Sequence, residues 1–280
     1  MSHFITKQIR FTNKIFELIN DNNVGSISEL IKKNPDLDID SKHTTGETPL
    51  HYAIRLEWTE LILILIEKGA DIHIKEHNGN TPLHLAVHYQ MYGIVELLLE
   101  KGANINMKNN DGDTPLHFAS KHQNINIIKL LLDQNAKIDI QNNHGNTPLH
   151  FSIKFKQMEN AKLLIKHNAN VHIKNNEDDT PLHFAVEYTM NDTDIIKLLL
   201  KHGANVNVKN EYGDTPLELA RQYNRIQIIK LMNLHNFKHH KRSKPLTSAK
   251  SLLSKRPSMR THIGSQSKGG RRTLKHRQKQ

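Results

Sequence analysis

No cysteine occurs in the 280 residues, which removes disulfide frameworks, thiolate metal sites and cysteine nucleophiles together. That fits a reducing compartment. Apolar residues make up only 36% of the chain, low for one compact core and in keeping with an elongated or partly disordered molecule. No apolar run approaches the roughly 18 residues that a bilayer span needs; the longest, Leu61 to Ile66, is bounded by Glu60 and Glu67. The first ten residues hold no basic segment followed by an apolar stretch, so no signal peptide of the Sec type is expected. Glycine is sparse, with 13 residues, too few and too dispersed for a phosphate-cradling loop, and neither His-Glu-x-x-His nor Gly-x-Ser-x-Gly occurs. Neither catalysis nor a bound cofactor is expected.

Asn, Lys and Ile crowd the chain, a bias that an AT-rich genome would produce, so no single Asn or Lys is given weight. The charge is more informative. Its formal sum is +11, yet Lys238 to Gln280 hold fourteen Lys or Arg and no Asp or Glu, which leaves the preceding residues slightly acidic.

What the chain has in abundance is self-similarity. Thr-Pro-Leu-His recurs at Thr48, Thr81, Thr114, Thr147 and Thr180, and Thr-Pro-Leu-Glu stands at Thr215, giving spacings of 33, 33, 33, 33 and 35 residues. Thr suits an N-cap, because its hydroxyl can accept from an orphan backbone N–H. Pro suits the next position, where its fixed φ helps and its missing N–H costs nothing. Each motif is followed by an apolar block such as Leu97-Leu98-Leu99 or Leu130-Leu131-Leu132, and then by Gly69-Ala70, Gly102-Ala103, Asn135-Ala136, Asn168-Ala169 or Gly203-Ala204. Gly or Asn there can take the left-handed conformation that ends a helix. Gly46, Gly79, Gly112, Gly145 and Gly213 precede the motif Thr by two residues, which places a hairpin-like tip between units.

A turn and two short helices every 33 residues, with Thr-Pro-Leu-His opening the first helix and Gly-Ala closing the second, resembles the ankyrin repeat family. The resemblance implies an all-α solenoid of six repeats over residues 44–236. Residues 11–43 read as a degenerate capping unit, since a stack needs ends with one polar face, residues 1–10 as a lead, and 237–280 as a basic disordered tail. Three departures stand out. Glu57, Gln90, Gln123, Lys156 and Asn224 occupy the inter-helix position where the family usually has Gly, so strain is expected there. The fifth unit has Asp178 for the tip Gly and two extra residues near Asn191-Asp192, so its hairpin and inter-helix turn should deviate. Glu218 replaces the motif His, and Thr215-x-x-Glu218 reads as a capping box.

The family assigns the motif histidines His51, His84, His117, His150 and His183 to structure, and one unit's spacing of about 10 Å separates them too far to share a metal. His239-His240 lies in a basic stretch and is read as solvated. By the same resemblance the tips and first helices line a concave surface that binds another protein. Seven and eight residues after each motif Thr lie Arg55 and Leu56, His88 and Tyr89, Lys121 and His122, Lys154 and Phe155, Glu187 and Tyr188, and Gln222 and Tyr223. The second column offers aromatic anchors, with Phe155 equally well read as packing. The first leans basic over units 1–4, which suits an acidic or phosphorylated partner.

From Lys238 the period stops, and the segment has too little apolar content to offset its ordering entropy. Lys241, Arg242 and Lys244 form a loose nuclear-localisation pattern, and Arg271 and Arg272 suit phosphates. With no aromatic to stack on bases, only sequence-independent contact with nucleic acid or an anionic surface is expected. By analogy with Asn- and Lys-rich ankyrin proteins of intracellular bacteria, such a tail also fits a non-Sec export signal. The sequence reading is therefore a monomeric protein-binding scaffold, cytoplasmic or exported to a host, with a nucleic-acid-associated protein as the alternative.

Because each unit of such a stack touches only its neighbours, deleting Asn110 to Asn142 should shorten the protein by one unit and leave a cooperative melting transition. Loss of that transition at low temperature would contradict the equivalence of the units.

Overall fold

A computed structural model of the chain describes residues 2–21, 23–36, 38–189 and 193–242, with side chains in those spans from residue 5 to 237. All regular structure among them is helical. The first pair is α1 (Ser2–Asn20) and α2 (Val24–Lys33). Six pairs follow, here called units 1 to 6: α3 (Pro49–Arg55) with α4 (Thr59–Glu67), α5 (Pro82–His88) with α6 (Tyr92–Glu100), α7 (Pro115–Lys121) with α8 (Ile125–Asp133), α9 (Pro148–Lys154) with α10 (Met158–Lys166), α11 (Pro181–Tyr188) with α12 (Asp194–Lys201), and α13 (Pro216–Gln222) with α14 (Ile226–Arg242). First helices pack on first helices from α1 through α13, and second helices on second helices, which gives two layers. Between them lie Leu50, Leu83, Leu116, Leu149 and Leu182 from the first layer and Leu65, Leu98, Leu131, Leu164 and Leu199 from the second, all buried.

The Thr-Pro-Leu-His motif does two jobs at once. In each of units 1 to 5 the Thr backbone N–H donates to Nδ1 of the His three residues on, at 3.0 to 3.3 Å, closing a reciprocal cap. That leaves Nε2–H to donate across to a tip carbonyl of the next unit: His51 to Asn80 at 3.2 Å, His84 to Asp113 at 3.1 Å, His117 to Asn146 at 3.0 Å, His150 to Asp179 at 3.3 Å and His183 to Asp214 at 3.2 Å. The two partners fix the neutral Nε2–H tautomer, since a proton on Nδ1 would face the Thr N–H. In unit 6 Glu218 keeps only the cap, accepting from Thr215 N at 2.9 Å, and no further unit follows among the described residues.

The tips carry a second set of cross-unit bonds, and it overturns the neglect of individual asparagines. Asn109, Asn142, Asn175 and Asn210 are buried. Each accepts on Oδ1 from two N–H groups of its own tip, as Asn142 does from His144 and Asn146, both at 3.0 Å. Each also donates from Nδ2 to the preceding tip: to Asn80, Asp113, Asn146 and Asp179 respectively, at 2.7 to 3.1 Å. Above them Asn110, Asn143 and Asn176 donate to the carbonyls of His77, Asn110 and Asn143. On the edge Lys42, Lys75 and Lys108 each reach a backbone carbonyl one unit further on. The same asparagine in units 3 to 6 is thus satisfied by its neighbours, which compositional bias would not produce.

This stacking sets the tip glycine. Gly79, Gly112 and Gly145 have φ of 76°, 77° and 73°, and a Cβ added to them would meet Oδ1 of the overlying Asn110, Asn143 or Asn176 at 2.3, 2.4 and 2.5 Å. In unit 5 Asp178 takes the glycine position at φ 60°, and the residue above it is Glu211 rather than Asn. Contrary to expectation the hairpin does not deviate: Asn175 N still donates to Asp179 O at 2.9 Å and Asp178 N to Asn175 O at 3.0 Å. Residues 190–192, where the insertion falls, lie outside the described residues.

Of the inter-helix residues expected to be strained, Glu57, Gln90, Lys156 and Asn224 adopt φ of 56°, 57°, 59° and 53°, each at a cost of about 1–2 kcal/mol for a residue with a Cβ. Unit 3 differs. Its His122 is extended, with φ −110° and ψ 153°, and Asn124 caps α8 by accepting from Ile127 N at 3.2 Å.

The ends differ from the boundaries read in the sequence. α1 begins at Ser2, because no Gly or Pro interrupts residues 2–20, so the lead and the capping unit share one helix that buries Phe11, Ile15 and Ile19. α14 continues to Arg242. Asn236 is followed by Phe237 in place of the small Ala that elsewhere tucks beneath the next tip, and the helix runs on. Residues 237–242, expected to be part of a disordered tail, are therefore helical, and residues 243–280 lie outside those described.

Two outcomes follow for stability. Gly112→Ala should cost clearly more than Gly213→Ala in chemical denaturation, since both sites have positive φ but only the first is overhung, with nothing within 4 Å of a Cβ at Gly213. Equal losses would mean that the overlying asparagine gives way. Burial also depresses the motif histidines, His51, His84 and His117 to about 4 and His150 to about 3, with His183 lowered in the same direction. An unfolded His protonates near pH 6.5, so above that value the histidines are neutral in both states and stability is full. As pH falls from there towards 4, only the unfolded chain takes up protons, and each His withdraws about 1.4 kcal/mol per pH unit. The denaturation midpoint should therefore drop steeply across that window, and a flat profile would show that these side chains are charged in the fold.

Candidate functional site

The residues singled out for partner binding stand where each first helix ends, beside the tips. Arg55, His88, Lys121 and Lys154 close α3, α5, α7 and α9. Leu56, Tyr89, His122, Phe155 and Tyr223 are the capping residues that follow, while Glu187 and Tyr188 end α11 and Gln222 ends α13. They lie on one face of the stack, but their surroundings differ from unit to unit.

Arg55 is not a free cation. Its Nη2 lies 2.7 Å from Oε2 of Glu47, a side chain only 7% exposed, and its guanidinium lies 4.7 Å from the centre of the Tyr52 ring. His88 and His122 form a pair across units 2 and 3, with Nε2 of His122 and Nδ1 of His88 3.1 Å apart and the rings edge to face. The extended turn of unit 3 carries His122 there, and Asn160 steadies it by donating to its carbonyl at 2.7 Å. Burial first, and then Lys121 for His88, or His88 and Lys121 for His122, push both histidines below their ordinary pKa. The basic run expected over units 1–4 thus contracts at neutral pH to Lys121 and Lys154, both exposed and neither in an ion pair among the described residues.

The aromatic column divides in the same way. Tyr89 and Tyr188 are half-buried and pack against the core, and burial together with the adjacent Glu187 raises the Tyr188 hydroxyl. Phe155 is half-buried beside Phe151, and the Lys121 ammonium stands 5.0 Å above its ring. Leu56 is 50% and Tyr223 41% exposed, the latter with Arg225 5.9 Å from its ring centre. Gln222 donates to Asp214 at 2.8 Å. Between the tips and first helices of units 1 to 3 a groove of about 470 Å³ is lined by Arg55, His77, Leu85, His88, Tyr89 and Phe118. Its lining mixes apolar side chains with polar and charged ones.

Sequence reasoning missed Glu47 as the partner of Arg55 and the His88–His122 contact. The first could have been found, since Glu47 is a longer acid where units 2 to 6 have Asn80, Asp113, Asn146, Asp179 and Asp214; the second depends on one irregular turn. Lys241 and Arg242 form the last turn of α14, while Lys244, Arg271 and Arg272 lie outside the described residues. No three His, Asp or Glu side chains among the described residues converge as a metal site would require, and no described helix is long and apolar enough to cross a membrane.

A family model for ankyrin repeats in three copies matches residues 16–109, 104–175 and 161–242. The chain belongs to the ankyrin repeat family. Among solved structures it is similar to the ankyrin repeat domain of Bcl-3, a member of the IkappaB protein family, with 25% identity, a TM-score of 0.66, and coverage of 78% of this chain and 97% of that one. No curated protein sequence matches it. Ankyrin repeats are a protein–protein interaction module, typically a binding scaffold without catalytic activity.

Proposed function

We propose that the face formed by the tips and first-helix ends binds an acidic segment of another protein across units 1 to 4. The observation that carries this reading is the contrast between neutralised and available charge. Arg55 is held by Glu47 and the two histidines are kept neutral by burial, whereas Lys121 and Lys154, one unit apart, offer their charge to a partner. An apolar side chain of the partner would enter the groove over Leu85, Tyr89 and Phe118, while its carboxylates or phosphates meet the two lysines. Opposite charge at such a rim speeds encounter and fixes register.

A second reading rests on the fourteen cations from Lys238 onward, which suit phosphates without regard to base sequence. Since α14 extends to Arg242, the truncation that separates the readings removes residues 243–280 and no more.

Charge reversal at both sites, Lys121→Glu with Lys154→Glu, should weaken the native protein partner by about tenfold or more, and the wild-type affinity should itself fall with salt. Unchanged affinity would move the interface elsewhere. In parallel, a labelled oligonucleotide tests the tail. If its binding vanishes on truncation while the protein partner stays bound, the chain does both. If it never binds, an export or solubilising role is the account left for the tail.

A further inference from the structure

Six units of one design show what each position holds when only packing and solubility matter, so a unit that departs at a cost points to another demand. On the exposed side of the second helix, units 2 to 6 carry Glu96, Lys129, Lys162, Lys197 and Lys230 at equivalent places, whereas unit 1 carries Leu63, 47% exposed. One turn earlier, units 1, 3, 4 and 6 carry Glu60, Asn126, Glu159 and Gln227, whereas unit 2 carries Gly93, inside α6 and with nothing within 4 Å of where a Cβ would stand. Neither departure helps the fold. A helical glycine in open space weakens its helix without improving packing, and a half-exposed leucine leaves apolar surface in water.

The two departures border the same cavity. A groove of about 530 Å³ runs between the starts of α4 and α6, lined by Leu63, Gly93, Tyr89, Met91, Tyr92 and Glu57. Tyr92 stands on its rim 41% exposed. Glu57 sits at the edge, and Glu60 and Glu96 share helix faces with Leu63 and Gly93 three residues away. All three carboxylates are exposed, and none makes an ion pair among the described residues. The cation that comes near, Lys129, lies beyond Tyr92 in a separate, smaller cavity that also holds Asp133.

We infer that this groove is a second docking surface, distinct from the face that carries Lys121 and Lys154, and that it takes a segment of another protein in which an apolar side chain is flanked by Lys or Arg. The apolar side chain lies against the bare backbone of Gly93 between Leu63 and Tyr92, and the flanking cations meet Glu57, Glu60 and Glu96. The missing side chain at Gly93 is what lets the segment approach the helix. The two grooves select opposite charges, and Tyr89, whose ring lines both, is the wall between them.

The test restores the pattern of the other units in the full chain, Leu63→Lys together with Gly93→Glu, a pair that leaves the net charge of the rim unchanged. The probe is a short fluorescent peptide carrying a Leu-Leu pair between Lys-Arg clusters, followed by anisotropy at low salt. Wild type should bind it, and the double variant should bind about tenfold more weakly or not at all while melting at a higher temperature, which separates loss of the site from loss of the fold. The matched peptide with Asp and Glu for Lys and Arg should not compete. Equal binding of the basic peptide to wild type and variant, or no binding to wild type, overturns the inference. The Lys121→Glu, Lys154→Glu protein should keep the basic peptide; if it does not, the two grooves are one site and the inference fails even if the acidic-partner reading stands.

Discussion

The buried imidazole that spans each pair of neighbouring units is the interaction on which the rest of the structure depends. It closes the first turn of one helix with Nδ1 and holds the next tip with Nε2, so a unit is capped and docked by one residue. Because both nitrogens are committed, the side chain must be neutral and fully desolvated, and that requirement brings the leucine layers close enough to exclude water. The tip asparagines repeat the logic: each amide organises its own turn with its oxygen and grips the preceding turn with its nitrogen. Along the stack, cohesion is thus polar at the tips and apolar between the helix layers.

Much of this was legible in the sequence, for reasons that can be stated. Thr-Pro marks a helix start through local backbone chemistry alone, and its return every 33 residues fixes the unit without knowledge of tertiary contacts. Gly69 and Asn135 mark helix ends for the same reason. What was not legible depends on neighbours distant in sequence. Asn142 and Asn143 look alike as letters, yet one is buried in a network and the other overhangs a glycine, and the abundance of asparagine hid both. Asp178 looked like a defect because a glycine was missing, but the residue above it had changed as well. His122 faces His88 from an extended backbone where Leu56, Tyr89, Phe155 and Tyr223 keep near-helical angles.

The candidate site shows the same division. Position within the repeat placed the candidate residues at the ends of the first helices, and that is where they stand. Charge on that face could not be read by counting Arg, His and Lys, because Glu47 cancels Arg55 and burial silences two histidines. Ionisation is a property of surroundings, and the surroundings of an inner-helix end include the tip of its own unit and the helix of the next.

The pairing of tip glycine with overhanging asparagine also bears on how such an array can grow. The tip glycines of units 2 to 4 are each followed by a unit that begins with Asn and that of unit 1 by His77, whereas the fifth unit, with Asp178, is followed by Glu211. Units are therefore not freely interchangeable beads. Their junctions have types, and duplication or recombination yields a sound array only where the types on the two sides of a new junction agree. The lineage of an array like this one would then be sought in the two tip residues that meet at each junction as well as in the helices.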